Sequence, residues 1–160
     1  LIGLPLGLLQ SAICYGLLTS LTHFRIDAVF DPLDGWALAL ILLALALTGP
    51  SQLLAHPRFG LSDKSLVGVI WKAGAIAALY DDPLPRNRAL VATAMPLLLF
   101  TVVPLVLAVV CPSATATAGT MAIINALSTG ALPWFIAVSL SQIPAEAQVQ
   151  NQGWTSYWKV

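Results

Sequence analysis

Charged side chains are scarce in this chain. Seven Lys and Arg residues and seven Asp and Glu residues make up only 9% of its 160 residues, against about a quarter in soluble domains. Hydrophobic residues contribute 58%, and the mean hydropathy is +0.86. Such a composition is typical of a protein that lies in a lipid bilayer. Because the net charge is zero, no basic surface is available to neutralise a nucleic-acid backbone, and we expect no nucleic-acid partner.

Cysteine is also rare, since the chain contains only Cys14 and Cys111. A disulfide requires the two Cα atoms to lie within about 7 Å of each other. The spans predicted below place Cys14 in the middle of one helix and Cys111 at the end of another, so the two thiols should lie at different depths. We therefore predict two free cysteines.

Four long segments of the chain contain no charged residue. Each is long enough, at about 1.5 Å per residue, to cross a hydrocarbon layer of about 30 Å as a helix. The segments are residues 1–21, 35–55, 89–111 and 117–140. The sequence therefore predicts an all-α integral membrane protein with four transmembrane helices. No polar linker divides residues 1–160 into more than one domain.

Most cations lie in the segment 56–88, between the second and third predicted spans. Five of the seven Lys and Arg residues lie in this segment, namely Arg58, Lys64, Lys72, Arg86 and Arg88. The positive-inside rule places this loop in the cytoplasm. Four spans then put both termini, including the polar and aromatic tail 144–160, on the cytoplasmic side of a bacterial inner membrane. Residues 65–80 are apolar on both sides of Lys72, and each arm is too short to span, so a β-hairpin or re-entrant element is favoured over a fifth helix.

The chain also lacks the motif of a zincin-type peptidase. That motif, H-E-x-x-H, places two His one helical turn apart, where they bind one Zn²⁺ while the Glu activates water. The only histidines here are His23 and His56, which the predicted topology puts on opposite sides of the membrane, and the only Glu is Glu146. The sequence alone therefore offers no complete zinc site.

Five short runs keep a fixed order along the chain. They are H-P-R-F-G-L-S from His56, L-Y-D-D-P-L-P-R-N-R at 79–88, M-P-L-L-L at 95–99, N-A-L-S-T-G at 125–130, and V-Q-N-Q-G-W-T-S-Y-W-K at 149–159. Together they resemble a bacterial domain-of-unknown-function family of zincin-type membrane peptidases. The resemblance covers roughly residue 35 to the C-terminus, and the tail and the P-L-P-R-N-R run are its more specific parts.

This resemblance implies where the missing ligands would lie. Carried across by position, the two His of the motif would fall on Thr48 and Gln52, and the Glu would fall on Gly49. An acidic third ligand would fall on Leu132. The resemblance thus implies a degenerate member without metal or cofactor. Pro50 adds a physical obstacle, because a proline tends to kink the helix that would carry the motif.

Polar side chains within the predicted spans have a structural explanation. No base is expected within reach of the Ser51, Ser128, Thr129 or Ser139 hydroxyls, so these should bond to the carbonyl four residues earlier or across helices. Asn125 and Gln52 should form hydrogen bonds between helices.

Two sets of side chains are candidates for interaction. Arg86 and Arg88, at the start of the third predicted span, should contact lipid phosphates. Trp154, Tyr157 and Trp158 suit either a membrane interface or a protein partner, and the sequence leaves both alternatives open.

These observations predict a pseudoenzyme rather than a peptidase. We expect a non-catalytic accessory subunit of a larger membrane complex, with respiratory and photosynthetic complexes as candidates. Its partners would be the lipid bilayer and other integral membrane proteins, contacted through the small-residue fourth span and the aromatic tail. The alternatives are an active metallopeptidase with unrecognised ligands and a membrane protein that binds a lipid or a quinone.

Overall fold

Long uncharged segments form most of the helices, while the charged loop and the tail form the strands. The computed structural model describes residues 3–25, 35–70, 75–129, 132–152 and 155–159. The described part is mostly helical, with two small antiparallel sheets. The chain divides into two compact units. The first comprises Leu1–Leu45 and Leu97–Leu132, and the second comprises Ala46–Pro96 and Pro133–Val160.

The elements follow the chain in this order. The α-helices are α1 (Gly3–Thr22), α2 (Gly35–Leu47), α3 (Arg86–Leu97), α4 (Val103–Val110), α5 (Thr115–Thr129) and α6 (Leu132–Ser141). Pro50–Ala55, Pro57–Gly60 and Pro112–Ala114 are 3-10 helices, and Leu98–Val102 is a π-helix. The strands are β1 (Ser65–Ile70), β2 (Ala75–Tyr80), β3 (Leu84–Pro85), β4 (Gln148–Gln152) and β5 (Thr155–Lys159).

Helices α1, α4 and α5 of the first unit pack against one another. Leu18, Phe24 and Ala108 are buried together in this core. Gly119 and Ala122 on α5 are also buried, and small residues of this kind allow close helix packing in lipid. These small residues of the predicted fourth span therefore pack within their own unit.

A buried hydrogen bond links α5 to the π-helix of the same unit. Asn125 Nδ2 donates to Thr101 Oγ1 at 2.8 Å, and both side chains are buried. The hydrogen bond between helices predicted for Asn125 is thus confirmed. Its partner, Thr101, was not identified from the sequence.

One described helix, Arg86–Val110, is long and apolar enough to cross a membrane, judged by length and composition alone. It includes α3, the π-helix and α4. Pro96 and Pro104 lie on either side of the wider π turn. Each proline lacks an N–H, and a local change to π geometry is one way for a helix to accommodate the resulting break in its hydrogen bonds.

Of the other three predicted spans, the first is one helix in the structure, and the second and fourth differ from the prediction. Helix α1 has 20 residues and corresponds to the first predicted span. Helix α2 has only 13 residues, because it ends before Pro50. The fourth predicted span contains two helices, α5 and α6, and residues 130–131 between them lie outside the described residues.

The first sheet is the hairpin of β1 and β2 in the second unit. The strands pair antiparallel, with Ser65 opposite Tyr80 and Ile70 opposite Ala75. Of the two predicted alternatives, a β-hairpin and a re-entrant element, the structure shows the hairpin, and the prediction against a fifth helix is confirmed. The turn predicted around Lys72 lies outside the described residues.

The tail of the chain forms most of the second sheet, whose strand order is β3-β4-β5. Val149 of β4 pairs with Leu84 of β3 and with Trp158 of β5. Leu84, Val149, Ala89 and Leu140 form a buried cluster. The sequence analysis described this tail as polar and aromatic and did not predict its strands.

Both cysteines are free, as predicted. Cys14 is buried within α1, and Cys111 follows the last residue of α4. One cysteine thus lies within a helix and the other just after the end of a helix, as the argument against a disulfide assumed.

The packing of α5 predicts a clear difference between two glycines. A Cβ atom added at Gly119 would lie 2.9 Å from Cε2 of Phe24 and 3.2 Å from Cδ1 of Leu18, whereas one added at Gly16 would meet nothing within 4 Å. Gly119→Ala should therefore lower the free energy of unfolding by about 1–3 kcal/mol, because it overpacks the core. Denaturant titration in mixed micelles measures this change.

Gly16→Ala is the matched control. It should be neutral or stabilise the protein by up to about 1 kcal/mol, because alanine has the higher helix propensity. Equal effects of the two substitutions would contradict the close packing at Gly119.

Candidate functional site

The predicted degenerate zinc motif lies where α2 ends. Helix α2 stops at Leu47, a turn covers Thr48 and Gly49, and a 3-10 helix begins at Pro50. Proline has no N–H for the carbonyl four residues earlier, and its fixed φ suits the first position of a new helix. The interruption expected from Pro50 is present. Thr48 and Gln52 therefore do not share the face of one α-helix.

Hydroxyl groups near this motif and in α5 bond to the backbone. Ser51 Oγ donates to the carbonyl of Thr48 at 2.7 Å. Ser128 and Thr129 donate to the carbonyl of Asn125 at 3.1 and 2.7 Å. Thr129 thus bonds to the carbonyl four residues earlier, as predicted, whereas Ser51 and Ser128 bond to the carbonyl three residues earlier. None of the three is arranged as an activated nucleophile.

The predicted position of the acidic third ligand lies in the first unit. Leu132 is the first residue of α6 and belongs to the first unit, whereas Thr48 and Gln52 belong to the second. His23 is exposed, has a φ of 57°, and also belongs to the first unit. The second unit thus holds one of the two histidines, His56.

His56 lies at the wall of a small cavity within the second unit. The volume of this cavity is about 40 Å³. The His56 ring is close to the Tyr80 ring, with 5.2 Å between the ring centroids and an angle of 58° between the planes. The cavity is lined by Gln52, His56, Ala78, Tyr80, Asp82, Leu84, Ala89, Ala92, Thr93 and Val149.

The sequence analysis did not assign Tyr80 or Asp82 to any site. A signal was present, because alternate residues of a strand share a face, which places Ala78 and Tyr80 together on β2. The sequence did not show which element packs against this face of β2. The structure packs β2 against the 3-10 helix Pro50–Ala55, and this contact brings Tyr80 near His56.

His56 is buried, and its pKa is lowered. Its side chain is 5% exposed, and Nδ1 is buried without a hydrogen-bond partner among the described residues. Burial lowers the pKa of this imidazole below its ordinary value of 6.5, and the positive charge of Arg88 lowers the pKa further. His56 is therefore neutral at pH 7.

Arg86 holds the segment that follows α6. Its Nη1 donates to the carbonyl of Ile143 at 2.7 Å, and its backbone N–H donates to the carbonyl of Ala147 at 3.1 Å. Arg88, by contrast, is exposed. The lipid contact predicted for both residues stays a prediction, but Arg86 also has a structural role that the sequence did not indicate.

The aromatic residues of the tail are exposed on β5. Tyr157 is 56% exposed and Trp158 is 53% exposed. Neighbouring residues of a strand point to opposite faces, so the strand presents an aromatic side chain on each face. Trp154, the third aromatic candidate, lies outside the described residues.

The chain matches the model of a known sequence family. This domain-of-unknown-function family is described as "Putative zincin peptidase", and the match covers residues 51–147, more than half of the chain. No curated protein and no solved structure matches the chain. Because the matched range begins after Thr48 and Gly49, the register assigned to the motif stays a prediction.

The residues at the predicted motif do not fit a zinc ion. Zinc in proteins is held by Cys sulfur, His nitrogen or carboxylate oxygen, whereas Thr48, Gly49 and Gln52 supply a hydroxyl, no side chain and an amide. Within the described residues, no group of three or more His, Cys, Asp or Glu could hold a metal ion. The cavity beside His56 offers one carboxylate, Asp82, which pairs with Lys64 at 3.5 Å.

The lowered pKa of His56 predicts a pH-dependent stability. The unfolded chain binds the proton at a higher pH than the folded chain, so the stabilisation is complete above pH 6.5 and is lost as the pH falls below that value. Thermal unfolding of the full chain in detergent, measured between pH 7.5 and 5.5, should show wild type losing more stability than His56→Gln.

His23→Gln provides the matched control, because His23 is exposed. The comparison separates the effect of removing His56 from the effect of removing the other histidine. If His56→Gln kept the wild-type profile instead, the burial assigned to the imidazole would be wrong.

Proposed function

This chain belongs to the zincin-peptidase family that it matches, and we propose that it is a non-catalytic, multi-span membrane protein within that family. Its role would be that of an accessory subunit in a larger membrane complex of the bacterial inner membrane. The single observation that supports this proposal is that the sequence contains no H-E-x-x-H motif, in a chain whose composition suits a bilayer.

The ligand argument has two independent parts. Thr48 and Gln52 cannot replace two zinc-binding imidazoles. In addition, α2 ends at Leu47 and Pro50 begins a new helix, so the local backbone does not provide the i, i+4 face that the motif requires. Both parts favour a member of this family that lacks metal chemistry.

The distribution of apolar surface supports a lipid environment. Helix α1 exposes Leu8, Leu9 and Ile13, and the helix Arg86–Val110 exposes Val106 and other large apolar side chains. Exposed apolar patches of this extent are costly in water but not in a bilayer. We propose that α1, α2, the helix Arg86–Val110 and the pair α5 and α6 form four spans, with both termini in the cytoplasm.

The surface that contacts other proteins is the aromatic tail in this proposal. Gly119 and Ala122 of α5 are buried within the first unit, so these small residues are not available to an outside partner. Tyr157 and Trp158 remain exposed on β5, and aromatic residues are enriched at protein interfaces and at membrane surfaces.

A gentle-detergent purification of the full chain from its native membrane tests this proposal. One preparation is analysed for bound zinc and for stoichiometric companion proteins. We expect no stoichiometric zinc and a defined set of membrane companions, because the chain lacks the ligands and exposes an interaction surface. The Tyr157→Ala/Trp158→Ala variant should lose companions, while Thr155→Ala on the same strand should retain them.

Zinc near one ion per chain, without any companion, would overturn the proposal. That result would instead support the alternative of an active peptidase with unrecognised ligands. Substitution of Thr48 or Gln52 would then abolish a measurable cleavage.

A further inference from the structure

Strand β1 has an open edge. Within the part of the chain that the structure describes, β1 pairs with β2 alone, whereas β2 also contacts the 3-10 helix Pro50–Ala55 and β4. The residues of β1, Ser65–Ile70, include no charge and no proline. Natural proteins commonly use charge or proline to block pairing at the edge of a sheet. The outer edge of β1 can therefore accept another strand.

The backbone groups of Val67 and Val69 face this open edge. The N–H of Asp81 donates to the carbonyl of Lys64 at 3.0 Å, which makes these two residues a hydrogen-bonded pair of the β1–β2 ladder. In an antiparallel ladder, such pairs alternate with pairs whose N–H and C=O groups point outwards. In the observed register, Gly68 therefore directs its backbone groups towards β2, whereas Val67 and Val69 direct theirs away from it.

Apolar side chains of β1 are exposed on both faces of the hairpin. Alternate residues of a strand share a face, so Leu66 lies on one face and Val67 and Val69 lie on the other. Leu66 and Val67 are each 53% exposed, and Val69 is 50% exposed. Lipid tails can cover these side chains but cannot form hydrogen bonds with the backbone at the edge. A protein strand satisfies both the side chains and the backbone.

The residue types of β1 are symmetric about Gly68. The strand reads L-V-G-V-I from Leu66 to Ile70, so an antiparallel second copy centred on Gly68 sets Val67 opposite Val69 and Leu66 opposite Ile70. An interface with two-fold symmetry requires this kind of self-complementarity. In this register, the outward N–H and C=O groups of Val67 also meet those of Val69 in the second copy. The sequence of β1 thus matches a second copy of itself.

The packing of its own chain does not require glycine at position 68. A Cβ atom added to Gly68 would meet nothing within 4 Å, although glycine within a strand lowers stability relative to alanine. In the symmetric pairing, Gly68 of each copy would form a non-hydrogen-bonded pair, in which the Cα atoms lie about 4.5 Å apart. Glycine within a strand often marks such a close approach of another backbone.

Charges at the two ends of the hairpin favour the same antiparallel arrangement. Exposed carboxylates of Asp63, Asp81 and Asp82 lie at the base of the hairpin, and Lys64 pairs with one of them, Asp82, at 3.5 Å. The base is therefore net acidic. Lys72 follows the other end of β1 in the sequence. Antiparallel pairing brings this end of β1 beside the acidic base of the second copy, so the charges of the two ends are complementary.

We propose that β1 pairs with β1 of a second copy of this chain, in an antiparallel register centred on Gly68. The two hairpins then form one continuous sheet in the order β2-β1-β1-β2. Because a two-fold interface uses the same edge on both copies, the assembly closes as a dimer. This proposal does not depend on whether the chain is an accessory subunit.

Disulfide trapping of the full chain in vesicles tests the register. In a background with Cys14→Ala and Cys111→Ser, Gly68→Cys is compared with Leu66→Cys. A Cα separation of about 4.5 Å suits a disulfide, so mild oxidation should form a covalent dimer of Gly68→Cys at least tenfold faster. Leu66 is the matched control, because it is exposed on the same face of β1 but lies opposite Ile70 of the second copy.

A second test removes a hydrogen bond at the edge. Val69→Pro deletes an N–H that points away from β2, and proline is tolerated at such an edge position, so the hairpin should be kept. Because each copy loses one hydrogen bond across the interface, the dissociation constant of the dimer should rise about tenfold or more. Val69→Thr keeps the N–H and the β-branched shape, and it is the control with a constant close to wild type.

Sedimentation equilibrium in density-matched detergent measures this constant for chains without added cysteine. Thermal unfolding shows whether each variant is folded, and disulfide trapping does not depend on Val69→Pro. A wild-type chain that stays monomeric at every concentration would overturn the pairing, and equal oxidation rates of Gly68→Cys and Leu66→Cys would overturn the register. A dimer that persists unchanged in folded Val69→Pro would assign association to another surface, against the proposal.

Other occupants of the edge give different results, and each would overturn the pairing of two copies. If lipid covers β1, Leu66→Cys in a monomeric chain should be protected from a water-soluble maleimide. If a strand of a different protein occupies the edge, Val69→Pro should lose one companion protein from native membranes, while the wild-type chain shows no self-association.

Discussion

Satisfaction of backbone hydrogen bonds is the constraint on which this structure depends. A chain with so few charged residues can place its backbone in a bilayer only if each N–H and C=O finds a partner, and a helix does this within one segment. At a proline inside a helix, one of these hydrogen bonds is missing, because proline has no N–H. Pro96 and Pro104 flank a π-helix within a continuous helix, whereas Pro50 follows the end of α2 and begins a different helix.

The interruption at Pro50, unlike those at Pro96 and Pro104, lies at the candidate site. The break at Pro50 falls within the five residues predicted to correspond to the family motif, where Thr48 and Gln52 supply a hydroxyl and an amide instead of imidazoles. The same segment supplies Gln52 and His56 to the cavity of the second unit. In our proposal this member of the family does not bind zinc at the predicted motif, and its second unit has a small cavity whose lining includes Gln52 and His56.

Much of the fold follows from local patterns in the sequence. Uncharged segments predicted helices, and the two short apolar arms around Lys72 predicted a hairpin or a re-entrant element, of which the structure has the hairpin of β1 and β2. The tail strands were missed because β4 is polar and its register depends on the distant partner Leu84. Likewise, the contact of His56 with Tyr80 depends on packing of β2 against the 3-10 helix, which no local pattern encodes. Four spans and the side of the membrane stay proposals, since length and composition single out one described helix.

The most direct test of this account restores the motif with and without the proline. Thr48→His, Gly49→Glu and Gln52→His are combined in one variant, and Pro50→Leu is added in a second. Zinc affinity of the two purified variants is measured by competition with a chelator. The account predicts that removing Pro50 tightens zinc binding about tenfold or more, ~1.4 kcal/mol, because the two imidazoles can then share a helical face. Equal and tight binding by both variants would contradict it.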